Sequence, residues 1–246
     1  MKRRISLRKA LSDPKLLGHA LKGSSWAAWR ILLVSAVGER LSESEREIFR
    51  KLTGRAQEPG HPVNELIAIV GRRGGKSFAM ATLLCWLAGL CDHRSVLAPG
   101  ETGVALCISR DQRAARAVLN YVEGIFAGSP YLRGLIKSRT AEAIELTNGI
   151  QIEVRPCNKI SARGATSIAI VADELAHWFT STDFANPDVE ILSAARPTLL
   201  TTRGPMLLVS SAYAKSGVLY DSYRRDYGAA PTCQGIVFPT SLSLRI

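Results

Sequence analysis

The chain has 246 residues, 46% hydrophobic and 22% charged, with 32 Lys and Arg against 21 Asp and Glu for a formal charge of +11. This length and balance suit one large α/β domain, or two small ones, with a full core. Its apolar runs fall far short of the ~20 residues of a membrane span. The basic start Met1-Lys2-Arg3-Arg4 is not followed by a signal-peptide core, because Arg8, Lys9, Asp13 and Lys15 interrupt it. A soluble, intracellular protein is expected.

Residues 1–55 hold thirteen Lys or Arg and five Asp or Glu, hence eight of the eleven net positive charges. A polyanionic partner suits such a segment, since each neutralised phosphate releases counterions; a solvated basic surface accounts for the charge equally well. The segment reads as helical and rich in Leu, Ala, Lys and Glu. Ser42 to Glu45 carries a capping-box pattern opening a helix toward Leu52. Residues 53–62, with Gly54, Pro59, Gly60 and Pro62, form a connector. The expected division is a basic helical segment, 1–55, packing on an α/β core, 56–246.

Glu65 to Val70 is short and almost wholly apolar, as a buried parallel strand is. Gly71 to Gly75 follow as a loop, and Lys76 to Gly89 as a helix. Gly103 to Ser109 predicts a strand, and Asp111 caps a helix running to Phe126. Residues 142–146 and 151–154 flank Asn148-Gly149, a strong hairpin signal. Further strands are expected at 168–172, 205–210 and 235–238, and a helix at 216–227. This alternation predicts a mostly parallel, twisted sheet covered by helices on both faces. The five cysteines, 85, 91, 107, 157 and 233, form no CxxC pair and read as reduced thiols.

Strand, glycine turn and helix in that order make a phosphate cradle, with loop N–H groups and the helix N-terminus facing an anion. In Gly71-Arg72-Arg73-Gly74-Gly75-Lys76-Ser77, Gly74 and Gly75 let the backbone approach phosphates without a Cβ in the way. Lys76 is placed to reach the β- and γ-phosphates, and the Ser77 hydroxyl to ligate Mg²⁺. The pattern GxxxxGK[ST] puts its first glycine on Val70, whereas the glycine here is Gly71. The second element is Ile168 to Glu174, an apolar strand ending in two acids. Asp173 is expected to hold Mg²⁺ and Glu174 to polarise the attacking water as general base. Together these residues predict a P-loop ATPase, with ATP and Mg²⁺ as its ligands.

Three features are open to more than one reading. Arg163, in Ser161-Ala162-Arg163-Gly164, is a candidate arginine finger or a surface arginine in a turn. Ser210-Ser211 is a candidate sensor of the γ-phosphate or a strand cap. Trp26, Trp29 and Arg30 are a candidate adenine lid, or part of an amphipathic helix burying its aromatics. His177 follows Glu174 by three, one residue longer than the helicase Asp-Glu-x-His box; helix capping or packing is expected of it.

These motifs, with Leu175-Ala176-His177-Trp178, Ala195-Arg196-Pro197 and Ser210-Ser211-Ala212-Tyr213, resemble the ATPase domain of the large terminase subunit of tailed bacteriophages over roughly residues 20–240. The loop arginine after the strand is a terminase feature. The resemblance implies a motor ATPase working as a homo-oligomeric ring, monomeric in isolation, at the portal protein of a procapsid. Double-stranded DNA and the small terminase subunit are the further implied partners, and the host cytoplasm the implied location. It also implies that Arg72 faces the phosphates, that Arg73 belongs to the cradle, and that Arg163 acts between subunits. Arg30 stands where the family commonly has Gln beside Trp29. Residues 241–246 carry no acidic cluster, so no nuclease domain is expected in this chain. A helicase or remodelling ATPase, and a truncated non-catalytic nucleotide-binding module, are the alternatives.

Overall fold

The computed structural model describes residues 2–157, 164–178 and 187–228. Two short strands, β1 (Lys2–Arg3) and β3 (Cys91–Asp92), pair antiparallel and tie the start of the chain to the centre of the fold. The main sheet has seven strands: β2 (Glu65–Ile69), β4 (Gly103–Ser109), β5 (Ile136–Arg139), β6 (Ala143–Leu146), β7 (Ile150–Pro156), β8 (Thr166–Asp173) and β9 (Met206–Ser210). Their order is β2-β9-β8-β4-β7-β6-β5. The first five run parallel, and β6 and β5 continue antiparallel at one edge. This is the α/β architecture expected of a P-loop NTPase.

Eight helices accompany the sheet among the described residues: α1 (Leu7–Ser12), α2 (Ala27–Ala36), α3 (Glu43–Thr53), α4 (Lys76–Leu90), α5 (Gln112–Gly128), α6 (Pro130–Arg133), α7 (Pro187–Ala195) and α8 (Gly217–Asp226). Strands β2, β4, β8 and β9 are buried on both faces, and neighbouring residues of one strand serve opposite faces. Leu66 and Ala68 of β2 join a core with Leu83, Leu84 and Trp86 of α4, Phe126 of α5, and Leu7, Leu33 and Phe49 of the N-terminal helices. Ile67 and Ile69 join a second core with Ile191 and Leu192 of α7, Leu219 of α8 and Trp178. Helix α4 is apolar around its whole circumference and almost wholly buried, which marks it as the central helix of the domain.

Local signals are realised where they are strongest. Ser42 and Glu45 form the reciprocal capping box of α3, and the Asp111 side chain accepts from the Ala114 N–H at the start of α5. The Asn148-Gly149 turn joins β6 to β7, with Gly149 at φ 81°. Strand β5 and helix α7 are additions to the predicted set. Residues 235–238 and Cys233 lie outside the described residues; Cys85, Cys91 and Cys107 are buried thiols. Among the described residues, no helix is long and apolar enough to cross a membrane.

Arginines near the N-terminus form ion pairs within the fold. Arg8 pairs with Glu45 at 2.7 Å, and Arg46 with Glu58 at 2.8 Å and Glu43 at 2.6 Å. Arg50 pairs with Glu43 at 3.1 Å. Glu43 and Glu45 are already within the net charge of residues 1–55, and Glu58, from outside that segment, takes up one further arginine.

Candidate nucleotide site

The phosphate loop leaves β2 at the C-terminal end of the parallel strands, where α/β sheets bind ligands. The Val70 N–H donates to the Ser210 carbonyl at 2.9 Å, holding the start of the loop against β9. Within the loop the Gly74 N–H donates to the Gly71 carbonyl at 3.1 Å, closing a tight turn. Arg73 adopts φ 64°, a left-handed conformation that is strained for a residue with a Cβ, and Gly75 adopts φ 75°. A Cβ on Gly74 would stand 2.4 Å from Val70, and one on Gly75 would stand 2.5 Å from the Trp26 ring. Neither position has room for a side chain, so the phosphate loop packs tightly against Val70 and Trp26. Gly71, Arg72 and Arg73 are exposed on its outer lip.

Lys76 opens α4, and its side chain is buried along the base of the loop. Its Nζ lies 3.0 Å from Glu174 Oε1. The next residue, Ser77, donates its hydroxyl to Asp173 Oδ1 at 3.1 Å, with Oδ2 at 3.2 Å, across 96 residues of chain. Asp173 is 3% exposed. Burial first, then the neighbouring Glu174 charge, push its carboxyl up to about 6, against the smaller opposing effects of the Ser77 hydroxyl and Lys76. A buried carboxylate so short of positive charge, with a hydroxyl beside it, is a hard-oxygen donor set suited to Mg²⁺. The Asp173 carbonyl accepts from the Trp178 indole N–H at 2.9 Å, so a buried ring fixes the strand end that presents both acids.

Glu174 sits in the left-handed region at φ 54°, and a 3-10 turn over Leu175–His177 follows. That kink turns its carboxylate back toward Lys76. The turn is fastened to β9, because the Ala176 N–H donates to Ser210 Oγ at 3.1 Å. His177 Nε2 and Ser211 Oγ share a hydrogen bond of 3.1 Å, and the imidazole meets the Tyr213 ring edge-on at 4.9 Å between centroids. The sheet order explains the convergence: β9 lies between the phosphate-loop strand and the acid strand, so Ser210 and Ser211 stand between the two halves of the site. Sequence reasoning gives His177 a packing role, yet its ring faces Glu174, with Nε2 3.8 Å from Oε2. The i, i+3 spacing on a helical turn is the signal that could have found it.

Trp29 and Arg30 are corrected by the structure. Trp29 is 2% exposed and has no free face for a base. Its indole N–H donates to the Gly74 carbonyl at 2.7 Å, bracing the phosphate loop from behind. Arg30 donates through Nη1 to the carbonyls of Leu21 and Gly23, at 2.5 and 2.7 Å, and so fastens its own segment. Trp26 is the aromatic at the open side: it lies across Gly75 and against Phe78 at 5.3 Å, and Phe78 meets Tyr121 of α5 at 5.4 Å. Arg163 lies outside the described residues.

A phosphate cradle ahead of α4, paired acids on β8 and an intervening strand β9 define the chain as an α/β protein of the P-loop NTPase fold. No protein-family model matches the sequence, and no curated protein matches it. Solved structures do: the fold is that of large terminase ATPase domains of bacteriophages. The large terminase of bacteriophage HK97 aligns with a TM-score of 0.54 at 13% identity, over 88% of this chain and 44% of that one. The large terminase of a thermophilic bacteriophage aligns at 0.52 with 12% identity, over 75% of this chain and 42% of that one. The same thermophilic protein in complex with ADP aligns at 0.51 with 12% identity, over 75% and 42%. The chain thus spans less than half the length of these terminases.

Proposed function

We propose that this chain is the ATP-hydrolysing motor domain of a viral large terminase, driving double-stranded DNA into a procapsid. The observation that carries the reading is the meeting of Ser77 with Asp173 and of Lys76 with Glu174, from two segments far apart in sequence. The glycine cradle and the N-terminus of α4 receive the phosphates through backbone N–H groups, with Arg72 and Arg73 on the outer lip. Lys76 leaves Glu174 to reach the β- and γ-phosphates. Ser77 and Asp173 are the residues that would hold Mg²⁺, which supplies Lewis-acid neutralisation of phosphate charge. Glu174, released from Lys76, takes the proton of the attacking water. Trp26, Phe78 and Tyr121 receive the base, since Phe78 directly follows the phosphate-binding Ser77 and this aromatic group is partly open to solvent.

The fold likeness to phage terminases supports the packaging role over a helicase or remodelling ATPase, and both site acids and Lys76 being present favours an active enzyme. Partners under this reading are DNA, the portal protein and procapsid, the small terminase subunit and further copies of the chain in a ring. Purified protein is expected to hydrolyse ATP, with turnover rising when DNA and portal–procapsid are added together. Turnover that responds to DNA alone and ignores the portal would favour the helicase reading.

Arg163 is proposed to act in trans on a neighbour's γ-phosphate. Arginine fingers contribute about 10³–10⁵ in rate, so the isolated chain should be a slow ATPase. Arg163→Ala subunits keep an intact loop, and Lys76→Ala subunits keep the finger. Each alone should be nearly inactive, and a mixture should recover part of the activity at hybrid interfaces. Co-assembly without recovery would place Arg163 within its own subunit's site.

A further inference from the structure

The resting site leaves one carboxylate oxygen unaccounted for. Glu174 Oε1 is held by Lys76, whereas Oε2 is buried and accepts no hydrogen bond among the described residues. A buried carboxylate oxygen without a donor is costly, so its surroundings should contain the group that serves it in another state. A group of that kind close by is His177. Its Nε2 lies 3.8 Å from Oε2, just beyond hydrogen-bond reach, and is joined at 3.1 Å to Ser211 Oγ. The ring is set by two other contacts: the 3-10 turn that carries it is fastened by Ala176 N–H to Ser210, and the ring itself meets Tyr213. A preset ring beside an unserved oxygen is the arrangement of a donor waiting for its acceptor.

We propose that His177 is the positioning residue that holds the Glu174 carboxylate once nucleotide has claimed Lys76. The inference rests on the nucleotide-site reading above. Under that reading Lys76 turns toward the phosphates and gives up its 3.0 Å contact with Glu174 Oε1. When it leaves, Glu174 stands half-buried next to Asp173 without its lysine partner, and would drift unless another donor takes it. A shift of under about 1 Å brings Oε2 to the roughly 2.7–3.2 Å of an N–H···O bond. In the tautomer with its proton on Nε2, the N–H then passes from Ser211 to Glu174, fixing the base toward the water. The same exchange releases Ser211 at the end of β9 in the nucleotide-bound state, which ties the state of the base to the segment leading to Tyr213.

Two variants separate the hydrogen bond from packing. His177→Phe keeps a ring against Tyr213 and loses Nε2–H; His177→Gln keeps an N–H at similar reach and loses the ring. Single-turnover hydrolysis should fall about 10-fold or more in His177→Phe, with ATP affinity within about 2-fold of wild type. His177→Gln should stay within about 3-fold of wild type in both. Equal hydrolysis in His177→Phe and wild type, or loss of affinity in step with rate, would overturn the role. A structure with a non-hydrolysable ATP analogue gives an independent test: Glu174 should be off Lys76 and on His177 Nε2, and a Glu174 still on Lys76 overturns the proposal. If wild type and Glu174→Gln hydrolyse alike, or if no analogue binds, the nucleotide-site reading itself has failed, a result distinct from a silent His177→Phe.

Discussion

Glu174→Gln should bind ATP as tightly as wild type or more tightly, while turning it over about 10²–10⁴-fold more slowly. The rate loss is the general-base contribution, realised in the transition state. The affinity expectation comes from the resting ion pair: Lys76 is held 3.0 Å from Glu174, so the phosphates must first displace that carboxylate. An amide in its place holds Lys76 less firmly. Lys76→Ala should fail in the other way, losing at least about 10-fold in affinity and about 10²–10³ in rate, as expected when a charged transition-state donor is removed. It also leaves Glu174 unpaired beside Asp173, so a lower melting temperature should accompany it. Equilibrium binding of a fluorescent ATP analogue and single-turnover hydrolysis, measured on both variants, read the two effects apart. A Glu174→Gln protein hydrolysing near the wild-type rate would remove the base from the scheme.

The parts of the site legible in the sequence are those built by contiguous residues. The strand–loop–helix from Glu65 to Leu90 announces itself through an apolar run, two glycines and Lys76-Ser77, and β8 through an apolar run ending in Asp173-Glu174. The capping box at Ser42 and the Asn148-Gly149 turn are local in the same sense. What escaped depends on chain partners far away. Trp29 reads as a base-stacking candidate because its sequence neighbourhood suggests one, but 45 residues on, Gly74 presents the carbonyl that its indole serves. Strand β5 has a single apolar residue in Ile136–Arg139, because an edge strand needs little burial and carries charge on its open side. Helix α7 is short and almost featureless in pattern, and its packing against α8 is what defines it. The place of His177 beside Ser211 needed β9 next to β8 before it was visible.

Asp173→Asn should stabilise the nucleotide-free protein while abolishing magnesium-dependent turnover. Asn keeps the size of Asp and can still accept from the Ser77 hydroxyl, but it removes a charge that burial and Glu174 disfavour. The sign follows from linkage. The Asp173 carboxyl is raised from 3.8 to about 6 in the folded state, so between those pH values the folded protein binds more protons than the unfolded one. Stability from this group is therefore fully present below about pH 4 and is lost as pH rises through about 6. At about pH 8 the whole cost is carried, about 3 kcal/mol at the conversion of roughly 1.36 kcal/mol per tenfold step in proton affinity. Relief of that cost corresponds to a rise of roughly 5–10 °C in melting temperature for a domain of this size. Melts in EDTA at about pH 5 and about pH 8 check it: the variant's advantage should be large at the higher pH and shrink at the lower, a difference that cancels the other carboxylates common to both proteins. Adding Mg²⁺ and ATP analogue should reverse the order, since only the wild type has the carboxylate to hold the ion and gain stability by binding it. If Asp173→Asn melts at or below the wild-type temperature at the higher pH without Mg²⁺, then Asp173 is already satisfied in the resting fold, and its burial is no mark of a cation site.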